Sequence, residues 1–359
     1  MRRPDPESPV VPERSALDSA WADISAGRSG KARQVGAWIL GLLALAAVVA
    51  AVLHFRELED FGRLARQAEP VWLLAAAGLQ ILTYLCVAAA WQRVLRAAGH
   101  ELSLRSLLPL SLAKLFTDQA VPTGGFSGAL LVARALVGRG IPPPAALAAL
   151  LAGFVSYHAA SLLAALTALI FLYFHQAASA GYVSILLAFA AVAVALPNLA
   201  FLLAKLPQGG RLLHWARRLR SVGLLERLLR EAPIDLLRRP RLLLPMALFQ
   251  LAVFYLDAAT LWALLEATGQ KANPGSAFAA LVMGSATAAL GPIPLGLGTF
   301  EAACVTTLHT LGTPLEAALT ATLLLRGMTV WLPMLPGLWC ARRELRRLPQ
   351  AHATPASSA

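Results

Sequence analysis

Along this chain the apolar residues fall in long blocks, and short arginine-rich segments divide the blocks. Six blocks, at about 35–54, 71–91, 142–174, 182–204, 242–268 and 314–340, reach the ~20 residues that carry a helix across a bilayer. Two further apolar stretches are cut in the middle. In the first, a short piece from 107 to about 116 is followed by Val121-Pro122-Thr123-Gly124-Gly125-Phe126-Ser127-Gly128 and by a second piece reaching 137. In the other, pieces at 276–290 and 299–311 flank Gly291-Pro292-Ile293-Pro294-Leu295-Gly296-Leu297-Gly298-Thr299. None of these pieces is long enough to cross alone, so each pair predicts a re-entrant helical hairpin. The expected fold class is an all-α polytopic membrane protein with about six spanning helices and two re-entrant half-helix hairpins.

The two breaks are related. Pro122 and Pro294 stand 172 positions apart, and so do Gly124 and Gly296, Gly140 and Gly312, and Pro142 and Pro314. The same ungapped offset joins Ala145 to Ala317, Ala146 to Ala318, Leu147 to Leu319, Ala149 to Ala321 and Leu151 to Leu323. Alanine and leucine matches are cheap in such a chain; the glycine and proline matches carry the signal. Interrupted hydrophobic segments at corresponding positions of two halves mark a transporter-type binding site.

Composition agrees with the blocks: 58% of residues are hydrophobic and 14% charged, with a mean hydropathy of +0.64. Such values lie outside the soluble range. Residues 1–34 mix Pro, Ser, Arg, Asp and Glu without periodicity and are expected to be a disordered tail. No signal peptide is expected, because the first apolar run starts late and follows acidic residues. Ten Lys or Arg residues lie between Lys205 and Arg241, against three acids. Arg28, Lys31 and Arg33 precede the first block, Arg93, Arg96 and Arg105 flank the first interrupted stretch, and Arg342, Arg343, Arg346 and Arg347 follow the last block. The positive-inside rule places all of them in the cytoplasm. One half then spans 35–175 with its hairpin at 107–137. The other spans 176–342, with a basic cytoplasmic loop at 205–241 and its hairpin at 276–311. Residues 343–359 form a second cytoplasmic tail. In this arrangement the hairpins enter from opposite sides, which is an inverted-topology repeat, in an inner (plasma) membrane protein with both termini cytoplasmic. Leu212, Trp215, Leu219 and Val222 fall at helical spacing among arginines, so the basic loop is expected to lie on anionic lipid. Nucleic acid is not needed to explain the net charge of +12, because the arginines stand where topology puts them.

Candidate chemistry gathers at the breaks. Pro122, Gly124, Gly125, Pro294, Gly296 and Gly298 let the backbone turn and a ligand approach closely. Ser127 and Thr299 are equivalent and suit the N-caps of the returning half-helices, whose dipoles favour a phosphate. Packing glycines and proline kinks are the plainer explanation; recurrence at matched positions favours function. Ionisable residues in apolar segments are the second signal, because each costs about 2.5–3.5 kcal/mol at a helix centre. Asp257 and Arg326 lie in mid-span, and Glu301 lies in the first turn after the second break. A polar cavity results in which Arg326 meets a lipid phosphate and Glu301 or Asp257 balances or reads the head group. Lys114, Asp118, Arg134 and His158 are further candidates, each with an ordinary packing or ion-pair alternative. Cys86, Cys304 and Cys340 read as small buried hydrophobes. Metal, cofactor and catalytic motifs are missing from the sequence, so neither a cofactor nor catalysis is expected.

These residues resemble the lysylphosphatidylglycerol synthase transmembrane-region family, the flippase-like domain proteins. The likeness rests on Pro122-Thr-Gly-Gly, on Pro292-Ile-Pro294-Leu-Gly296-Leu-Gly298-Thr-Phe-Glu301, on Gly312 and on Leu325-Arg326, and covers about 35–342. In bifunctional members this region is linked to moving an aminoacylated phospholipid between leaflets, while a separate soluble domain performs the aminoacyl transfer. Only a short Ala/Ser/Pro tail follows Arg347 here, so the synthase activity is not expected to carry over. The resemblance implies a lipid translocase acting on a phospholipid, aminoacyl-lipid or other polar-headed lipid. The alternative is an accessory subunit that presents a polyprenyl-phosphate, glycolipid or hopanoid to a lipid-modifying enzyme or glycosyltransferase. A third reading, an integral-membrane transferase, would need an acid–base pair beside a donor site.

Overall fold

The computed structural model describes residues 68–120, 126–205, 240–291, 293 and 296–347. The tail at 1–34, the first apolar block, most of the basic loop at 205–241, and Pro122, Gly124, Gly125, Pro292 and Pro294 lie outside the described residues, as does the side chain of Ser127. The described residues form α-helices and one π turn: α1 Pro70–Ala97, α2 Leu104–Ala120, α3 Phe126–Val137, α4 Pro143–Phe174, α5 Ala180–Lys205, α6 Pro240–Ala267, α7 Pro274–Leu290, α8 Thr299–Thr310, α9 Leu315–Arg326, the π turn Gly327–Trp331, and α10 Leu332–Arg347. Five stretches are long and apolar enough to cross a membrane: α1, α4, most of α5, most of α6, and α9 continued through the π turn into α10. α2 and α7 have 17 residues each and α3 and α8 have 12. At 1.5 Å per residue they reach only about 18–26 Å, short of a ~30 Å hydrocarbon core.

Local chemistry sets the helix starts. Pro70 opens α1, and Pro143 and Pro144 open α4, where the missing N–H costs nothing. Asn273 caps α7 by accepting from the Gly275 N–H at 2.8 Å. Gly140 and Gly312 end α3 and α8 at φ +82° and +92°, the left-handed conformation that glycine adopts without strain.

The last spanning stretch differs from the sequence expectation in two ways. It is not one regular helix: Leu332 N–H bonds Gly327 O, five residues back. Pro333 explains the wide turn, because in an α-helix its ring would strike the carbonyl of Thr329. It also runs on to Arg347, past the boundary expected at 342. Glu344 is buried there, accepting two bonds from the Arg139 guanidinium at 2.8 and 2.9 Å, and that tie draws the final turns into the bundle.

Under the 172-residue shift, α1 falls on α6, α2 on α7, α3 on α8, and α4 on α9 through α10, with ends agreeing within two residues. The packing pairs map the same way. α1–α2 corresponds to α6–α7, α2–α3 to α7–α8, α3–α4 to α8–α9, α1–α4 to α6–α9, and α2–α10 to α4–α7. α1 and α6 pack on each other in antiparallel sense: Glu69 N bonds Ala267 O at 3.0 Å, Trp72 meets Trp262 with ring centroids 5.5 Å apart, and Gln80 meets Asp257. Small residues let the helices approach, as at Ala160, Ala164 and Ala168 of α4, all fully buried. The outer faces carry exposed large apolar residues, among them Val71, Leu74, Ile170, Leu335 and Trp339, as lipid contact requires.

Candidate functional site

The second break is built between α7, α8 and α9. Gly296 turns with φ +61°, its N–H bonding Ile293 O at 3.1 Å, and Gly298 with φ +81° serves as the N-cap of α8. A Cβ at Gly296 would fall on Ala288 of α7, so the close approach of loop to helix requires glycine. Thr299, expected as the N-cap, is instead the first helical residue. Its hydroxyl donates back to Gly296 O at 3.1 Å and braces the loop. The capping work falls to Glu301, whose Oε2 accepts the Gly298 N–H at 2.7 Å, a carboxylate at N3 reaching back to the cap. Ser127 likewise stands one residue inside α3, which begins at Phe126.

The other oxygen of Glu301 meets Arg326. Nε of Arg326 donates to Oε1 at 2.7 Å, with 3% of the Glu301 side chain and 11% of the Arg326 side chain exposed. The guanidinium also lies over the Phe300 ring, 4.9 Å from its centroid. Phe300 is held in turn by Gly284, where a Cβ would come within 2.9 Å of the ring. Thr322 of α9 donates to Cys304 Sγ of α8 at 3.5 Å. The π turn begins at the residue after Arg326. The arrangement holds one cation and one carboxylate, mutually satisfied, at the positive end of a short helix, beside a turn made of glycine.

The first break repeats the plan with other residues. Asp118 of α2 accepts the Gly128 N–H in the first turn of α3 at 2.7 Å and receives Lys114 Nζ at 2.7 Å. Gly128 packs so tightly on α2 that an added Cβ would strike the Lys114 carbonyl. Tyr157 of α4 is near enough to feel both charges. Arg134 sits in the last turn of α3, half-buried.

Asp257 and His158 stand with other partners. Asp257 lies on the α1–α6 interface, where Gln80 Nε2 donates to its Oδ1 at 2.9 Å and Thr83 Oγ1 lies 3.4 Å from the same oxygen. His158 donates from Nδ1 to Phe154 O at 2.8 Å and packs on the Phe154 ring, as a helix-packing residue does. Sequence reasoning missed the Arg139–Glu344 pair altogether. Its only signal was an acid among the arginines at the end of the last helix. Cys304 and Cys340 are buried, and Cys86 is partly exposed.

Among the described residues, five apolar helices of spanning length, outer faces clothed in Leu, Ile and Val, and paired helix breaks with ionisable groups inside define an integral, multi-pass membrane protein. The family model of the lysylphosphatidylglycerol synthase transmembrane region matches residues 38–337, and the chain belongs to that family. Comparison with curated proteins gives no match.

Proposed function

We propose that this protein is a lipid translocase that moves a polar-headed lipid between the leaflets of the inner membrane and performs no covalent chemistry. One observation carries the reading: the buried Glu301–Arg326 pair at the N-terminus of the short helix after the second break. A charge pair inside a bilayer is costly to keep, and this one stands where phosphate is favoured. A head group bearing both a phosphate and an ammonium splits such a pair productively. The phosphate replaces Glu301 on Arg326, and the ammonium takes the carboxylate. Zwitterionic phospholipids and aminoacylated phospholipids have that chemistry, and membership of the family supports a lipid-related role.

The 172-residue correspondence and the antiparallel α1–α6 pair support an inverted-topology repeat. In it, α2–α3 and α7–α8 are re-entrant hairpins entering from opposite faces, and the basic segments lie in the cytoplasm. Exchange of an inward-open form for the outward-open form related to it by the two-fold axis of the repeat then exposes the break to each leaflet in turn.

The test is reconstitution of the full chain into vesicles with fluorescent phosphatidylethanolamine, reading leaflet exchange by chemical quenching. The double variant Glu301→Gln/Arg326→Met keeps the fold without the charge pair at this break, and it is expected to lose exchange while its melting temperature stays within a few degrees of wild type. Wild-type exchange rates in that variant would overturn the assignment.

A further inference from the structure

Among the described half-buried or buried carboxylates, Asp257, Glu266 and Glu316 have no cation partner, and of these only Asp257 lies away from a helix end. Glu301 has Arg326 at 2.7 Å, Glu344 has Arg139 at 2.8 Å and Asp118 has Lys114 at 2.7 Å. Asp257 has only neutral partners: Gln80 Nε2 at 2.9 Å and Thr83 Oγ1 at 3.4 Å, both on Oδ1. Gln80 also donates to Thr260 Oγ1 at 3.1 Å, and Gln80, Thr83 and Thr260 are all buried. Oδ2 accepts no bond from the described residues.

Position adds to this. Asp257 lies ten residues before Ala267 at the end of α6, and Gln80 ten residues after Pro70 at the start of α1. At 1.5 Å per residue the cluster is about 15 Å from that end of the helix pair, half the depth of a ~30 Å core. The antiparallel register, 69 against 267 and 80 against 257, also brings the repeat-mates Thr83 and Tyr255 close to opposite one another. The cluster therefore sits beside the point about which the two halves correspond.

An ionised carboxylate at that depth with no counter-charge is the least favourable form of the group. The cluster is also a poor metal site. Hard cations take six or more oxygens and favour several carboxylates, whereas no group of three or more His, Cys, Asp or Glu side chains is found among the described residues. The occupant that fits one open carboxylate oxygen is a proton.

We propose that Asp257 is a proton-binding site that couples lipid movement to a proton gradient. Oδ2 takes one proton from water on one side, carries it as the neutral acid while α1 and α6 shift against each other, and returns it to water on the other. Of the titratable groups around α6, Tyr84 of α1 feels the Asp257 charge. α1 also carries Cys86, Arg93 and Arg96, α4 brings Tyr157, His158 and Tyr173, α9 brings Glu316 and Arg326, and α7 brings none. No side chain from α4 or α9 bonds the carboxylate. The coupling rests on the transport reading above; the proton binding does not.

Two measurements on the full chain keep those parts separate. In nanodiscs, an infrared pH titration of wild type is expected to show the carbonyl band of a protonated carboxylic acid that vanishes as pH rises. Asp257→Asn removes that band, Glu301→Gln keeps it, and Gln80→Leu, which leaves the carboxyl in place, moves the pH at which it is lost. Absence of the band in wild type, or its persistence in Asp257→Asn, overturns the proton site. In vesicles, wild-type lipid exchange is expected to change about tenfold for one unit of imposed pH difference, the ratio of proton activities, and Asp257→Asn exchange is expected not to respond. A wild type that exchanges lipid indifferently to the gradient overturns the coupling. A wild type that exchanges none overturns the transport reading and the coupling with it, and the infrared result still decides the site.

Discussion

Truncating Arg326 to methionine tests whether the charge pair at the second break is structurally closed. In the native protein both carboxylate oxygens of Glu301 are engaged, Oε1 by Arg326 Nε and Oε2 by the Gly298 N–H, each at 2.7 Å. Removing the guanidinium frees Oε1 in a site where 3% of the Glu301 side chain is exposed, so water cannot replace the lost donor. Breaking a buried pair from one side costs about 3–5 kcal/mol. Loss of the contact with Phe300 at 4.9 Å adds about 1 kcal/mol. Adding Glu301→Gln removes the stranded charge while an amide oxygen still accepts from Gly298, so the double variant should recover most of the loss, to within about 1–2 kcal/mol of wild type. The assay is a double-mutant cycle on unfolding in mild detergent, followed by tryptophan fluorescence. Additive effects of the two changes, with the double variant the least stable of the set, would refute the closed pair.

Gly296→Ala should destabilise by more than about 1 kcal/mol, because φ is +61° and the new methyl meets Ala288. Gly153→Ala, in open space within α4, should gain up to about 1 kcal/mol, and thermal unfolding of the two variants side by side checks both signs. Arg139→Ala leaves buried Glu344 only Arg347 at 3.7 Å and should cost about 3 kcal/mol. Arg347→Ala, which removes an exposed partner, should cost under about 0.5 kcal/mol by the same melt. Gly337→Leu places a side chain where a Cβ would already lie 2.9 Å from Leu112 O. It should part α10 from α2 at a cost of about 1–3 kcal/mol, read as lost thermal stability.

Five of the six expected spanning helices, and the division of both interrupted stretches into short helices, were legible because each rests on a local rule: block length for the former, proline and glycine for the latter. Glu301 and Arg326 stood out in the sequence as charges in apolar surroundings, and they pair at 2.7 Å, but the N-cap assignment of Thr299 was wrong. A threonine after a glycine looks like a cap. Only the turn at Gly298 and the reach of Glu301 show that the helix starts one residue earlier. The partners of Asp257 were not legible. Gln80 is uncharged in a leucine-rich helix and meets Asp257 across 177 residues only through the antiparallel register of α1 and α6. The extension of α10 was missed because hydropathy measures what prefers lipid, and the turn holding Glu344 is helical for a different reason, its tie to Arg139. The π turn had a signal in Pro333 that hydropathy does not weigh.

The repeat has kept its backbone and not its charges. The repeat-mates of Lys114, Asp118, Glu301 and Arg326 are Ala286, Leu290, Ala129 and Phe154, so no member of either ion pair is duplicated. Both breaks nonetheless end with a carboxylate on the first turn of the returning helix and a cation on that carboxylate. The demand comes from the backbone: a helix N-terminus packed inside a bundle has N–H groups that need acceptors, and the acceptor's charge then needs balancing. The two solutions differ mechanically. Lys114 and Asp118 lie one turn apart on α2, so their bond stays intact when the α2–α3 hairpin moves as a unit. Glu301 is on α8 and Arg326 on α9, so any separation of those helices breaks a 2.7 Å bond. A ligand that competes for Arg326 therefore has leverage on helix packing at the second break that it lacks at the first. Two halves with one backbone plan thus differ at their breaks: the first holds its ion pair within one helix, and the second holds it between two.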